Sequence, residues 1–203
     1  MIIINQQDSP KALVVWLHGL GSDQNNFVHF IKRLNLDEFT FILPNAPFRK
    51  ISMNQGYKMR GWYDIHSLDF KTQDEDGLNE SKCIIESIIQ SNYKILNEPK
   101  LYIGGFSQGA ALAQYIGLSS KFEFTKIVSL SGYLPKLAIP ANKSSKKILA
   151  IHGTHDEIIN INLAKQSYEK YKINENFILK EYKMGHEVIE EEILDVQEFL
   201  LRD

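Results

Sequence analysis

Short apolar runs alternate along the chain with longer segments in which apolar residues recur at helical spacing. This alternation is typical of parallel strands joined by crossover helices. In several runs the odd-numbered and the even-numbered positions are both apolar, as in strands that are buried on both faces of a sheet. The pattern predicts a three-layer α/β fold, with a mostly parallel central sheet and helices on both of its faces. The predicted strands are Leu13–Leu17, Phe39–Leu43, Leu101–Phe106, Lys126–Leu130, Lys147–His152 and Phe177–Tyr182, with Met1–Ile4 as an additional edge strand.

The helical segments are recognised by apolar faces that repeat every three to four residues. In one of them we interpret Cys83 as a small buried hydrophobe on the apolar face. Between residues 47 and 77 no regular pattern emerges, which predicts a loop or lid-like insertion within a single domain of residues 1–203. Long irregular insertions in compact domains tend to be functional. The predicted helices are Gln24–Leu34, Leu78–Ile89, Gln108–Ser119 and Ile189–Leu200.

Composition narrows the class of protein. With 203 residues, 43% of them apolar and 24% charged, the chain is typical of one globular domain. The formal net charge is −2, so the chain lacks the excess of basic residues that nucleic-acid binding requires. No apolar run approaches the roughly 20 residues that stable membrane insertion needs. The single cysteine excludes an intrachain disulfide, and the first residues lack the basic and apolar regions of a signal peptide. We therefore expect a cytoplasmic protein that acts on small molecules.

The segment Gly105–Gly109 has the form G-x-S-x-G and lies between a predicted strand and a predicted helix. The pentapeptide alone would arise by chance in roughly one of fifteen chains of this length. Its position makes it informative, because a strand that turns abruptly into a helix needs glycines for close backbone approach and leaves the central serine strained and exposed. The context predicts Ser107 as a nucleophile.

A serine nucleophile needs a neighbouring base, and the base needs a carboxylate that fixes its tautomer. Where this strand–turn–helix motif occurs, the three residues follow the chain order serine, acid, histidine. Asp156 is the only aspartate between Ser107 and His186, and no other histidine follows Asp156. This order predicts His186 as the general base and Asp156 as its partner. Two alternatives remain open: Glu157 as the carboxylate, and Asp156 as a cap for a helix at residues 162–171.

Acyl transfer also needs N–H donors for the oxyanion and a surface for the acyl group. The predicted donors are the backbone amides of Gln108, beside the nucleophile, and of Leu20, in the glycine-rich turn after the first long strand. We interpret Trp62, Tyr63 and Ile65 as a substrate-binding surface for an acyl chain, with satellite core packing as the alternative. The other histidines lack metal-ligand spacing, so neither a metal nor a cofactor is predicted. They are His18, His29, His66, His152 and His155.

Seven blocks, in order, resemble the phospholipase/carboxylesterase family of α/β-hydrolases, which includes the acyl-protein thioesterases. The resemblance covers nearly the whole chain and looks closer to bacterial carboxylesterases than to eukaryotic thioesterases. It implies the same triad, Ser107, Asp156 and His186, and the same oxyanion donors. The blocks are His18–Gly21, Pro44–Pro47, Gly61–Ile65, Gly104–Ala111, Leu130–Pro135, His152–Asp156 and Gly185–His186.

The chain departs from the family pattern at Ser22–Asp23 and at Glu157, where many relatives have aspartate and proline respectively. Neither departure touches the predicted chemistry. The function implied is hydrolysis of small acyl esters or thioesters through an acyl-enzyme, with acylated proteins and lysophospholipids left open as further substrates. The alternatives are a lysophospholipase acting on membrane lipids and a non-catalytic acyl-binding module. The resemblance is also compatible with a homodimer.

Overall fold

The centre of the protein is a seven-stranded sheet in the spatial order β1-β3-β2-β6-β7-β8-β9. The computed structural model describes residues 1–69, 72–93, 96–97, 99–138, 146–171 and 175–202. Strand β1 pairs antiparallel with β3 at one edge, and every other neighbouring pair in this sheet is parallel. The strands are β1 (Ile2–Ile4), β2 (Ala12–Leu17), β3 (Phe39–Leu43), β4 (Phe48–Ile51), β5 (Tyr57–Arg60), β6 (Lys100–Phe106), β7 (Phe124–Leu130), β8 (Lys147–Gly153) and β9 (Phe177–Tyr182).

Helices cover both faces of this sheet and create two separate hydrophobic cores. Side chains of α1 and α5 pack in one core, which we call the α1/α5 core. Side chains of α2, α3 and α4 pack in the other, which we call the α2/α3 core. The expected three-layer architecture, a mostly parallel sheet with helices on both faces, is confirmed. The helices are α1 (Val28–Arg33), α2 (Glu75–Tyr93), α3 (Gln108–Ser119), α4 (Ile161–Ser167) and α5 (Glu190–Leu201), with 3₁₀ turns at Gln24–Phe27, Ser52–Asn54 and Tyr168–Tyr171.

Strand β2 shows why the buried strands lack polar alternation. Every residue of Ala12–Leu17 is buried. Because successive side chains of a strand point to opposite faces, Leu13, Val15 and Leu17 enter the α2/α3 core. Their neighbours Ala12, Val14 and Trp16 enter the α1/α5 core. A strand that feeds two cores must be apolar throughout, as its sequence is.

The region from 47 to 77 contains regular structure that the sequence pattern does not predict. Strands β4 and β5 form an antiparallel hairpin, with Phe48 opposite Arg60 and Ile51 opposite Tyr57. Phe48 and Tyr57 are exposed, whereas Ile51 is buried. The ribbon rests on the body of the protein through few side chains and therefore has no apolar alternation to reveal it. Residues 70 and 71 of the predicted insertion lie outside the described residues.

The interpretation of Cys83 as a buried residue is wrong, because its thiol is exposed. The buried face of α2 is formed by Leu78, Ser81, Ile85 and Ile89. Position 83 is two residues from both Ser81 and Ile85. At about 100° per residue it therefore points roughly 200° away from the buried face.

The parallel strands end at one common edge. Leu17 is level with Gly105, Phe106 with Leu130, and Gly153 with Tyr182. The loops after β2, β6, β8 and β9 therefore emerge side by side. In open α/β sheets this carboxyl edge is where sites are built.

Candidate active site

Ser107 occupies the turn between β6 and α3. Its backbone has φ 56° and ψ −120°, a strained conformation for a residue other than glycine. The turn is held in place because the Ser107 N–H donates to the Leu130 carbonyl at 2.9 Å. Ser107 stands immediately before Gln108, the first residue of α3, so its hydroxyl lies at the positive end of the helix dipole.

Three side chains from three loops form one hydrogen-bonded chain. His186 Nε2 lies 2.9 Å from Ser107 Oγ, and His186 Nδ1 lies 2.8 Å from Asp156 Oδ2. The carboxylate side chain is fully buried, while the imidazole is 17% exposed. A carboxylate at Nδ1 places the ring proton there and leaves Nε2 free to accept the hydroxyl proton. The arrangement is that of an activated nucleophile.

Asp156 is held in the ionised form by its hydrogen bonds. Burial opposes ionisation, but hydrogen bonds from His152, His186 and the Ile159 N–H hold the pKa of Asp156 well below its usual range. Asp156 does not cap α4, because the cap of that helix is Asn160, whose side chain accepts from the Asn162 N–H. Glu157 is exposed, and Asp156 is the carboxylate that contacts His186.

The turn after β2 passes directly beside the nucleophile. A Cβ added to Gly19 would lie 3.4 Å from Ser107 Cβ, and Leu20 lines the cavity over the serine. The N–H of Gln108 belongs to the first turn of α3, where backbone donors have no acceptor within the helix. The segments that contain the two predicted oxyanion donors therefore both adjoin Ser107.

Two buried histidines support these loops in ways that the sequence pattern does not indicate. His18 Nε2 accepts from the Ala46 N–H at 3.0 Å, and its Nδ1 lies 2.8 Å from the Gly19 carbonyl. His152 Nε2 lies 2.7 Å from the Ile159 carbonyl and 3.3 Å from Asp156 Oδ2. Both histidines come at strand ends just before a glycine. That position is the only signal of a supporting role in the sequence.

The three predicted acyl-contact residues separate into two groups. Ile65 lines the cavity, but Trp62 and Tyr63 are fully buried in the α2/α3 core and are not part of the cavity wall. They are tied to the nucleophile turn through the Gln108 side chain, which accepts from the Trp62 N–H at 2.9 Å and donates to the Tyr63 carbonyl at 2.7 Å. Trp62 and Tyr63 therefore support the floor of the site rather than its surface.

An open cavity of about 730 Å³ lies over Ser107. Its volume is within the range of small-molecule sites, and its wall is mainly apolar. The polar groups that reach it include Ser107, His186, Asn26, Arg33 and Glu190. Such a cavity can accommodate an apolar substrate whose reactive carbonyl lies at the serine.

No three His, Cys, Asp or Glu side chains of the described ranges are grouped as a metal ion would require. No helix built from those same residues is both long enough and apolar enough to cross a bilayer. The prediction that neither metal nor cofactor takes part stays a prediction.

Comparison with known proteins gives consistent relatives over the whole length. Residues 1–202 match the family described as Phospholipase/Carboxylesterase. The chain is 35% identical to acyl-protein thioesterase 1 homolog 1 of Dictyostelium discoideum, over 90% of this chain and 86% of that protein. It is also 35% identical to acyl-protein thioesterase 1 of Emericella nidulans, over 94% and 90%. The crystal structure of Zea mays acyl-protein thioesterase 2 superposes with a TM-score of 0.88 at 26% identity, covering 98% of this chain and 96% of that one.

Proposed function

The chain belongs to the phospholipase/carboxylesterase family of α/β-hydrolases, and on that basis we propose that it cleaves acyl esters and thioesters through Ser107, Asp156 and His186. It is a serine hydrolase. The observation that carries the assignment of residues is the hydrogen-bonded chain from Ser107 Oγ through His186 to Asp156 Oδ2. A binding module that makes no use of catalysis has no need of this geometry.

In the first half-reaction, Ser107 Oγ attacks the acyl carbonyl while His186 Nε2 takes the hydroxyl proton. The buried Asp156 carboxylate stabilises the imidazolium that results. The Leu20 and Gln108 N–H groups donate to the oxyanion of the tetrahedral intermediate. His186 then gives its proton to the leaving oxygen or sulfur, and the acyl group stays on Ser107.

The second half-reaction repeats these steps with water. His186 Nε2 removes a proton from a water molecule, which attacks the acyl-enzyme carbonyl, and the same proton returns to Ser107 Oγ as the acid leaves. Water reaches the imidazole because its side chain is partly exposed. No group other than these residues and water is needed to balance the reaction.

Acylated proteins are the proposed natural substrate class, since the relatives carry the name acyl-protein thioesterase. The open, largely apolar cavity has room for an acyl chain and for the part of the substrate next to the scissile bond. We extend the proposal to a cytoplasmic location, which rests on the single cysteine. The lysophospholipase alternative is not favoured by the relatives' names, and a homodimer stays a prediction.

The test is hydrolysis of p-nitrophenyl esters from acetyl to palmitoyl by the wild type and by Ser107→Ala. We expect kcat to fall by at least about 10⁴-fold in the variant, with unchanged circular dichroism and loss of fluorophosphonate labelling. The matched control is Ser22→Ala, which removes a hydroxyl from the same cavity but none from the triad. Normal turnover by Ser107→Ala would refute the assignment.

A further inference from the structure

The cavity over Ser107 has two halves that belong to different hydrophobic cores. One half, which we call the α1/α5 half, has the apolar lining residues Phe27, Phe30, Val188, Ile189 and Ile193, all of which belong to or pack against the α1/α5 core. The same two segments also contribute polar lining residues, which are Asn26, His29, Arg33, Glu187 and Glu190. The other, which we call the hairpin half, is lined by Met53, Ile65, Tyr133 and Ile159, which belong to or pack against the α2/α3 core. Ser107 lies between them, at the sheet edge that separates the two cores.

The α1/α5 half opens next to His186. The His186 ring contacts the Phe106 ring at 4.8 Å between centroids, and Phe106 in turn contacts Phe27 at 5.9 Å. An ion pair between Arg33 and Glu190, both of which line the cavity, joins the two helices, so α1 and α5 both border this half. The half therefore has aromatic walls beside the His186 imidazole and also contains a charge pair whose two charges neutralise each other.

The reaction geometry decides which part of a substrate each half receives. The carbonyl oxygen must point at the Leu20 and Gln108 amides, and the leaving atom must lie within hydrogen-bond reach of His186 Nε2 to receive its proton. The leaving group then extends along the wall that contains His186, and the acyl chain takes the remaining direction. With these constraints the two halves of the cavity cannot exchange roles.

We propose that the α1/α5 half is the leaving-group subsite and that it favours aryl-bearing alcohols and thiols over alkyl ones. This inference rests on the proposed function. The rings of Phe27, Phe30 and Phe106 form the walls, and aromatic walls favour aromatic guests in offset or edge-to-face contact. The acyl chain lies in the hairpin half.

On acylation the bond between Ser107 Oγ and the carbonyl carbon forms, and the bond from that carbon to the leaving oxygen or sulfur breaks. The serine proton passes through His186 to the departing alcohol or thiol.

The first experiment varies each part of the substrate separately. With the acyl group fixed as acetyl, kcat/KM for benzyl acetate divided by that for ethyl acetate reports the leaving-group subsite, because kcat/KM covers only binding and acylation and the acetyl group is common to both esters. With the alcohol fixed as ethanol, the ratio of ethyl hexanoate to ethyl acetate reports the acyl subsite. Val188→Ala trims the α1/α5 half, and Met53→Ala trims the hairpin half. Both side chains are only partly buried, so both variants are expected to fold.

We expect Val188→Ala to lower the benzyl-to-ethyl ratio about five- to tenfold and to change the hexanoate-to-acetate ratio less than twofold. Met53→Ala should do the reverse. The control is Leu194→Ala, an exposed position on the outer side of α5, which should change neither ratio. The opposite pattern, with Met53→Ala altering leaving-group preference, would assign the halves the other way and overturn the proposal.

A second measurement needs no variant. Because a departing alcohol and an incoming alcohol occupy the same subsite, an alcohol that fits the α1/α5 half should intercept the acyl-enzyme and form an ester. At equal concentrations we expect benzyl alcohol to capture the acetyl group at least fivefold more often than ethanol does. Equal transfer of the acetyl group to the two alcohols would refute the leaving-group subsite but would leave Ser107 as the nucleophile. A wild-type protein that fluorophosphonate does not label would instead contradict the proposed function itself.

Discussion

His18 fixes the direction in which the proposed oxyanion donor at Leu20 points. Because His18 Nε2 accepts from the Ala46 N–H, the ring proton sits on Nδ1 and is donated to the Gly19 carbonyl. Burial lowers the pKa of His18 and favours this neutral ring. The Gly19 C=O and the Leu20 N–H belong to one planar trans peptide and point in opposite directions. A carbonyl held by His18 therefore turns the Leu20 N–H the other way.

Replacing this ring should impair the chemical step more than substrate binding. We expect His18→Ala to lower kcat by about 10²-fold, the lower end of the cost of losing one oxyanion donor, with KM changed less than threefold. His18→Asn should recover part of the loss, since its side-chain amide can donate to the same carbonyl. Steady-state kinetics on p-nitrophenyl acetate measures both, and an unchanged kcat in His18→Ala would contradict the role.

The site residues that can be predicted from the sequence are those that a short motif and the order of residues along the chain identify. Ser107, Asp156 and His186 follow from one motif and from elimination, and the structure brings their side chains together. The supporting contacts were missed because they join positions far apart in the chain, such as His18 and Ala46. The sequence leaves two roles open for Trp62, acyl contact and core packing, because its neighbours look like a loop. Only the fold shows that its ring fills the core.

At the scale of elements, the position of Ser107 depends on how closely α3 approaches the end of β2. A Cβ at Gly109 would lie 2.3 Å from the Leu17 carbonyl oxygen, and one at Gly105 would lie 2.6 Å from the same atom. Real Cβ atoms do not come that close to backbone. The first turn of α3 therefore packs on β2 at a distance that only glycine permits, and this contact brings the Leu20 turn beside the serine.

Gly109→Ala should force β2 and α3 apart. We expect the free energy of unfolding to fall by at least about 2 kcal/mol, as for an overpacked core, and esterase activity to fall with it because Ser107 and Leu20 separate. The matched control is Gly56→Ala in the hairpin turn, where φ is +75° and the added Cβ meets nothing within 4 Å. That variant should lose only about 1 kcal/mol from backbone strain. Urea titration of both variants distinguishes steric overlap at position 109 from backbone strain at position 56. Equal losses in the free energy of unfolding would contradict the explanation.

The sequence predicts buried elements better than exposed ones. The strands of the central sheet were located to within two residues at each end, because their apolar runs have to serve two cores. Helix α2 begins at Glu75, three residues before the predicted start, since its first turn is mostly polar and does not continue the apolar face. The β4–β5 hairpin was missed because most of its side chains point to water.

At the scale of the whole molecule, one buried acid couples folding to pH. The Glu192 side chain is fully buried at the start of α5, where Oε2 accepts from the Ile189 N–H at 3.0 Å. Its Oε1 has no hydrogen-bond partner within the described part of the chain. Burial raises the pKa of Glu192 to about 8, although the Ile189 N–H opposes this shift, and the charges of Asp195, Glu187 and Glu191 raise the pKa further.

The folded state therefore binds a proton that the unfolded state has released once the pH exceeds about 4.5. Stability from this group is present below that pH and is lost as the pH rises towards 8. We expect Glu192→Gln, relative to wild type, to gain about 3 kcal/mol in free energy of unfolding between pH 5 and pH 8. Urea titrations at several pH values test this. Parallel pH profiles for the two proteins would show that Glu192 ionises normally.

The division of the cavity between two cores has a consequence for how such an enzyme can diversify. The side chains that support the hairpin half and those that support the α1/α5 half lie on opposite faces of the sheet. A substitution that repacks one core therefore has little effect on the shape of the other half of the cavity. Specificity for the acyl group and specificity for the alcohol or thiol can then evolve separately. A descendant can accept a new leaving group while its acyl-chain preference stays unchanged, or the reverse.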